Sequence, residues 1–205
     1  MTTAPVPVRI VVAGTAGGVG TTTVAALLFE ALRRASTVGA PVLYDHSGGD
    51  LGLRLPNGDD VSAVDDTVAV HDAGPHAMRG GLDALTSPSD LLVVVAPANA
   101  AGLADADLLV EAAARRSGLT AATRIVVVVS AATGDALRGS AVEAFRARHH
   151  HAAVLRLPAD PALAVGGRIP SSRLTASTRR ALAEFDRRTV GLLATQRRGG
   201  PAGTV

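Results

Sequence analysis

A glycine-rich stretch near the start of the chain, residues 14–23, limits most strongly what this sequence can fold into. It reads Gly-Thr-Ala-Gly-Gly-Val-Gly-Thr-Thr-Thr and lies between an apolar run, residues 8–13, and an amphipathic run that begins at Val24. This order predicts a strand, a tight turn and a helix, the context that a phosphate-binding loop requires. Glycines let a backbone wrap closely around an anion, and the first N–H groups of the helix point at it.

The match to the common phosphate-loop pattern, G-x-x-x-x-G-K-[ST], is partial. Gly20 and Thr22 fit, but Thr15 stands at the first glycine and Thr21 stands at the lysine. The chain has no lysine at all, and its 20 basic residues are all arginines. The backbone frame of the loop is therefore present without its usual charge. The alternative is a tight turn kept only for packing.

Apolar segments alternate with amphipathic ones along the rest of the chain. They predict strands at residues 8–13, 41–44, 68–71, 91–96, 124–129 and 153–157, and a last helix at 172–196. Strands that alternate with helices predict an α/β fold with a doubly wound, mostly parallel sheet flanked by helices. Residues 46–65, rich in Gly, Asp and Ser, predict a long loop. We expect one domain over residues 1–198 and a flexible tail at 199–205.

Ligands bind at the carboxyl ends of the strands in such sheets, so the residues that follow the strands are candidates for a site. These residues are Asp45 and Ser47, Asp72 and Gly74, Ser130, and Pro158 and Asp160. Asp45 and Asp72 have a simpler explanation, because acids are common as helix caps and as solvated residues at strand ends.

Together these motifs resemble the ParA/MinD family of ATPases, whose deviant phosphate loop usually reads K-G-G-V-G-K-T-T. Six residues agree with that pattern: Gly17, Gly18, Val19, Gly20, Thr22 and Thr23. Ala16 and Thr21 replace the two lysines, which neutralise nucleotide phosphates in the family. The resemblance covers nearly the whole chain in the right order and implies a P-loop NTPase-like fold.

The resemblance also implies the residues of a nucleotide site. Those that would contact nucleotide are Gly17, Gly18, Val19, Gly20, Thr21, Thr22, Thr23, Asp45, Gly74, Ser130, Pro158 and Asp160, and those that would hold Mg²⁺ are Thr22 and Asp72. Ser47 stands where the family has an acid that orients the attacking water. Ser130 stands where relatives have an asparagine that reads adenine.

Four chemical positions thus depart together: Ala16, Thr21, Ser47 and Ser130. They favour a non-hydrolysing pseudo-ATPase that binds ATP or ADP with Mg²⁺ weakly. We assign no residue of this protein to catalysis. Such a protein would be a regulatory or scaffolding partner in a bacterial positioning, partition or secretion system, able to dimerise through its loop face as relatives do. Two alternatives stay open: a slow Mg-dependent ATPase whose missing charge comes from an arginine or a partner, and an interaction module that binds no nucleotide.

Composition and local patterns restrict the remaining classes of function. The chain has no cysteine, no long apolar run and no signal-peptide pattern, which favours a cytoplasmic protein. Paired arginines on the last helix favour a solvated face over non-specific binding of DNA. The polar, glycine-rich end of the chain would be only a weak membrane anchor. Consecutive His149, His150 and His151 predict a solvated loop, because their side chains diverge too much for a shared metal ion. His71 and His76 flank Asp72, and a catalytic role for them is the lesser interpretation.

Overall fold

Six parallel strands form one sheet in the computed structural model, which describes residues 8–35, 41–48, 51–56, 68–85, 87, 89–117, 123–131 and 139–199. The strands are β1 (Val8–Gly14), β2 (Pro41–Asp45), β3 (Val68–Asp72), β4 (Leu91–Pro97), β5 (Ile125–Ser130) and β6 (Ala153–Leu157). Their order across the sheet is β2-β3-β1-β4-β5-β6, and every neighbouring pair is parallel. The predicted α/β fold with a doubly wound parallel sheet is confirmed.

Helices follow the strands and cover the sheet. They are α1 (Thr21–Arg34), α2 (Leu51–Arg54), α3 (Ala100–Ser117), α4 (Gly139–Arg148), α5 (Pro161–Ala164) and α6 (Ala176–Gly199), together with 3-10 turns at Ala77–Arg79, Gly81–Ala84 and Ser171–Arg173. Residues of the central strands are apolar on both faces, as a sheet covered on both sides requires. One core cluster lies between the sheet and helices α1 and α6, and a second lies between the sheet and helices α3 and α4.

The predicted strand boundaries differ from the structure by at most one residue, and the helices and the long loop differ more. Helix α1 begins at Thr21 and not at Val24, because the polar threonines after Gly20 already form its first turn. The last helix begins at Ala176, since Ser171–Arg173 forms a separate 3-10 turn, and it extends to Gly199. The predicted loop at 46–65 contains the short helix α2, while residues 49–50 and 57–65 lie outside the described residues. The domain limits at 1–198 and the tail stay predictions, and residues 200–205 also lie outside the described part.

Gly102 marks a tight contact between the sheet and a helix. A Cβ atom at this position would lie 2.4 Å from the carbonyl oxygen of Pro97 and 2.6 Å from two carbons of its ring. Because these neighbours are backbone and ring atoms, Gly102→Ala must displace the start of α3 from β4. We expect a loss of about 2–3 kcal/mol in the free energy of unfolding, measured by urea denaturation. Gly191→Ala in α6, where the added Cβ meets nothing within 4 Å, is the control and should not lower stability.

Asp186 on α6 gives the fold a measurable pH dependence. Burial raises the pKa of Asp186 to about 6, and the charge of Arg34 only partly opposes that rise. Since the pKa in the folded state is above that of the unfolded chain, ionisation costs stability as the pH rises from about 4 through 6. Asp186→Asn should therefore raise the free energy of unfolding by about 1–2 kcal/mol at pH 7.5 and change it little at pH 4. Equal gains at both pH values in urea denaturation would contradict this explanation.

Candidate functional site

The glycine loop between β1 and α1 is held in shape by its neighbours in the sheet. Gly14 N–H donates to the carbonyl of Gly74 at 2.8 Å, and Thr15 N–H donates to the carbonyl of Val95 at 2.9 Å. Gly18 and Gly20 have φ angles of +73° and +92°, which lie in the left-handed region that favours glycine. Gly18 and Gly20 thus occupy positions where the turn requires glycine.

Ala16 and Thr21, which align with the two lysines of the ParA/MinD pattern, bring no charge to this loop. Ala16 is exposed at its outer side. Thr21 is buried and points back to the base of the loop, since a Cβ atom on Gly14 would lie 2.3 Å from Thr21 Oγ1. The position where a phosphate-binding lysine would begin is therefore filled by a short side chain packed against β1.

A hydrogen-bond network joins the ends of β2 and β3 beside the loop. Asp72 is fully buried, its carboxylate accepts from Gly74 N–H at 2.9 Å, and Ser47 Oγ lies 3.2 Å from the other carboxylate oxygen. Asp45 accepts from Ser47 Oγ at 2.8 Å and from Ser47 N–H at 2.9 Å. Ser47 thus lies between the two carboxylates and contacts both of them.

Hydrogen bonds from neighbouring groups favour the ionised form of the Asp45 carboxyl group. Burial acts to raise the pKa of Asp45, but hydrogen bonds from the Ser47 hydroxyl and from the backbone N–H groups of Ser47, Leu51 and Gly48 lower it below its usual value. The two carboxylates and the Ser47 hydroxyl are hard oxygen ligands of the kind that Mg²⁺ prefers, so the chemistry of these strand ends fits the ion. That Asp72 and Thr22 would hold the ion stays a prediction.

A cavity of about 410 Å³ opens between the glycine loop and the segment after β6. Predicted site residues that line it are Gly18, Gly20, Thr23, Ser130, Pro158 and Asp160. Ser130 is buried, and its Oγ atom would lie 3.8 Å from a Cβ placed on Gly20. The structure thus brings together residues from three strand ends, and the glycine loop lies more than a hundred positions in the chain from the other two.

Asp160, predicted as a nucleotide-binding residue, has its carboxylate engaged by the protein itself. It is buried, caps helix α5 by accepting from Ala162 N–H at 2.9 Å, and accepts from Thr175 N–H at 2.9 Å and Thr175 Oγ1 at 3.0 Å. Burial acts to raise the pKa of Asp160, but hydrogen bonds from Thr178 and Thr175 lower it. The geometry therefore gives Asp160 a role in holding the cavity wall, and nucleotide contact by this residue stays a prediction.

Arg54, which the sequence reasoning did not single out, also belongs to this region. It is the last residue of α2, and its guanidinium donates to Thr23 Oγ1 and to backbone carbonyls of the segment 163–167. Nothing in the sequence separates this residue from the other arginines, because the loop that carries it has no recognisable pattern. Leu163 and Ala164, which line the cavity beside it, were likewise missed.

His149 and His71 pack against and hydrogen-bond to other side chains of the protein. His149 is buried against Phe145 and hydrogen-bonds to Asp107 on α3, so the predicted solvated loop is wrong for this residue. His71 stacks between Tyr44 and His46, with a distance of 2.9 Å between His71 Nδ1 and His46 Nε2. Within the described residues, no group of three or more His, Cys, Asp or Glu side chains could hold a metal ion.

No helix in the part of the chain that the structure describes is long and apolar enough to cross a membrane.

Comparisons with known proteins agree with this geometry at the level of the fold. No protein-family model and no curated protein matches the sequence. The structure is similar to that of a ParA family ATPase from Chlorobium tepidum TLS, at 13% identity over 88% of this chain and 99% of that chain, with a TM-score of 0.62. It is also similar to a chain of the MinC:MinD cell division protein complex of Aquifex aeolicus, at 18% identity over 90% of this chain and 96% of that chain, with a TM-score of 0.62. The chain thus has a ParA/MinD-like fold.

Proposed function

We propose that this protein binds a magnesium nucleotide, ATP or ADP, in the cavity beside the glycine loop and does not hydrolyse it. In this proposal it is a regulatory or scaffolding partner in a bacterial positioning, partition or secretion system. The observation that carries the proposal is the cavity of about 410 Å³ itself, which is bounded by the glycine loop on one side and by Pro158 and Asp160 on the other. Its volume lies in the range typical of small-molecule sites.

The glycine loop supports anion binding without a lysine. Backbone N–H groups at the start of a helix form a partial positive charge, and Gly18, Gly20 and Thr22 lie at the start of α1. These bonds are assisted only by the charge of the anion, because neither Ala16 nor Thr21 brings a positive charge to the loop, so binding should be weak. We expect a dissociation constant in the micromolar to millimolar range.

The arrangement of Ser47 supports the absence of hydrolysis. In the network at the strand ends, Ser47 Oγ contacts the carboxylates of Asp45 and Asp72. A serine hydroxyl is a poor general base for an attacking water, because its pKa is far from neutral and it brings no charge. The missing lysines also remove the positive charge that would stabilise the transition state of phosphoryl transfer.

A role through protein partners is supported by the second structural neighbour, which is part of a MinC:MinD complex. A protein that binds nucleotide without turnover can still shift between two conformations with different affinities for a partner. Dimerisation through the loop face is part of the same proposal, and sedimentation velocity with and without Mg–ATP would test it.

The deciding experiment is calorimetric titration with Mg–ATP and Mg–ADP, with phosphate release followed on the same sample. Binding without release supports the proposal. Steady release would overturn it in favour of the slow ATPase, in which an arginine or a partner supplies the missing charge. No binding even at millimolar nucleotide would leave the nucleotide-independent interaction module.

Asp72→Asn separates the magnesium part of this proposal from the nucleotide part. If Asp72 holds the ion, wild-type protein should bind Mg–ADP more tightly than ADP in EDTA, and the variant should lose this difference, about tenfold in affinity. The measurement is the same titration in the presence of Mg²⁺ and in EDTA. Asp83→Asn, at an exposed carboxylate that pairs with Arg116 and does not line the cavity, is the control and should behave as wild type. A magnesium dependence that survives in Asp72→Asn would rule out this role.

A further inference from the structure

Arg54 forms five hydrogen bonds beside the cavity, and every acceptor is a neutral oxygen. Its Nε and Nη2 atoms donate to Thr23 Oγ1 at 3.1 and 3.0 Å, and Nη1 donates to the carbonyl of Gly167 at 2.9 Å. The two remaining bonds reach the carbonyls of Val165 and Leu163. No ion pair among the described residues includes Arg54. Its positive charge is thus solvated by dipoles and is not neutralised by a carboxylate in this part of the chain.

Partial burial of the Arg54 guanidinium costs free energy because it removes water from the charge. Arg54 is only partly exposed, and burial lowers the pKa of its guanidinium. A partly buried cation without an opposite charge is unfavourable unless something nearby compensates it. An anion in the neighbouring cavity would provide that compensation, because Thr23 and Leu163, which line the cavity, both accept hydrogen bonds from the guanidinium.

The hydroxyl group of Thr23 connects the guanidinium to the cavity. A hydroxyl has two lone pairs and one proton. Two N–H groups of Arg54 occupy the lone pairs of Thr23 Oγ1, so its proton is available only for donation to another group. No acceptor for that proton is found among the described residues. Thr23 therefore lies on the cavity wall as a hydroxyl that can only donate, polarised by the cation behind it.

We propose that Arg54 and Thr23 together form an anion-recognition pair, in which Arg54 directs the Thr23 hydroxyl to a phosphate oxygen and brings the positive charge that Ala16 and Thr21 lack. The proposal rests on the proposed function, since the anion is the phosphate group of a nucleotide. Thr23 makes the contact with the ligand. Arg54 is a positioning residue, which acts through Thr23 and through its hold on the 163–167 segment.

The test is a double-mutant cycle with Thr23→Val and Arg54→Gln, titrated calorimetrically with inorganic pyrophosphate and with Mg–ADP. Valine matches the shape of threonine and lacks only the hydroxyl. Each single variant should weaken pyrophosphate binding about tenfold or more, the value of one hydrogen bond to a charged group. The double variant should be no weaker than the weaker single variant, because both changes remove the same donor.

Two further variants separate this effect from general damage. Arg173→Gln removes an exposed arginine of the Ser171–Arg173 turn and should bind pyrophosphate like wild type. Arg54→Lys keeps the charge without the two-pronged contact to Thr23 and should recover part of the lost affinity. Thermal melting is measured for every variant. If Arg54→Gln fails to fold, Thr23→Val still tests the proposal, because it leaves the bonds from Arg54 to the carbonyls in place.

The outcomes distinguish this proposal from the function on which it rests. Unchanged binding in Thr23→Val, or independent losses that multiply in the double variant, would overturn the pair and leave nucleotide binding intact. Pyrophosphate binding that both single variants weaken, in a protein that binds no Mg–ADP or Mg–ATP, would support the pair and refute the proposed function. A wild-type protein that binds none of these anions refutes both.

Discussion

The double variant Ala16→Lys with Thr21→Lys is expected to bind Mg–ATP about tenfold to a hundredfold more tightly than the wild type. This gain corresponds to one charge-assisted hydrogen bond from a lysine to a phosphate oxygen, which contributes about 1.5–3 kcal/mol. The loop that would receive them already has its backbone in place, since Gly14 and Thr15 are hydrogen-bonded to neighbouring strand ends. The gain should shrink as the salt concentration rises.

The matched control for this gain is Ala16→Gln with Thr21→Gln, which adds side-chain length without charge. Glutamine at position 21 must leave the packed site of Thr21 against Gly14, as lysine must, so the two double variants share any cost in stability. Calorimetric titration of both variants separates the effect of charge from that of shape. Equal affinities for the lysine and glutamine variants would mean that the cavity does not place phosphate at this loop, and the interaction module would then be favoured.

The second large effect is expected at Asp160, whose replacement by alanine should lower the free energy of unfolding by about 3 kcal/mol. The carboxylate accepts bonds from Ala162 N–H, Thr175 N–H and Thr175 Oγ1. Its loss leaves buried donors without a partner and removes the cap of α5. Because the pKa of Asp160 in the folded protein is lowered, the stabilisation is complete above the unfolded pKa of about 4 and is lost as the pH falls through the folded pKa.

Urea denaturation at pH 7 and at pH 3 checks both parts of this prediction. The difference between wild type and Asp160→Ala should be largest at pH 7 and should narrow in acid. Asp83→Ala, at an exposed ion pair with Arg116, should cost less than about 1 kcal/mol. A difference between wild type and Asp160→Ala that is the same at both pH values would show that packing of the side chain, and not its charge, holds this wall of the cavity.

The sheet and the strand ends of the candidate site could be predicted from the sequence. The apolar runs that became β4 and β5 have no polar interruption, and strands buried on both faces leave that pattern. Parallel strands bring their carboxyl ends to one edge, so the sequence alone predicts that Asp45 and Asp72 lie near the loop. Their contact through Ser47 follows from this register, which pairs Asp45 with Asp72 directly.

Contacts that depend on tertiary packing could not be predicted. Arg54 reaches Val165 and Gly167 across more than a hundred residues, and no periodic pattern marks either partner. Thr21 looks in sequence like a small replacement for a lysine in an open loop, but it turns inward because Gly14 leaves room for its hydroxyl. The solvated loop expected around His149 overlooked Asp107, a partner from a different helix. Each of these contacts joins segments whose proximity only the finished fold determines.

The anchoring of the glycine loop at Gly14 and Thr15 has a consequence for how such a site can change over evolutionary time. Ordering a flexible segment costs about 1–2 kcal/mol for each residue. When a loop is already fixed by the sheet, this cost does not reduce the free energy of ligand binding. A loop backbone fixed in this way keeps its shape when the side chains around it are replaced. Affinity for an anion would then change through single substitutions while the fold stays the same.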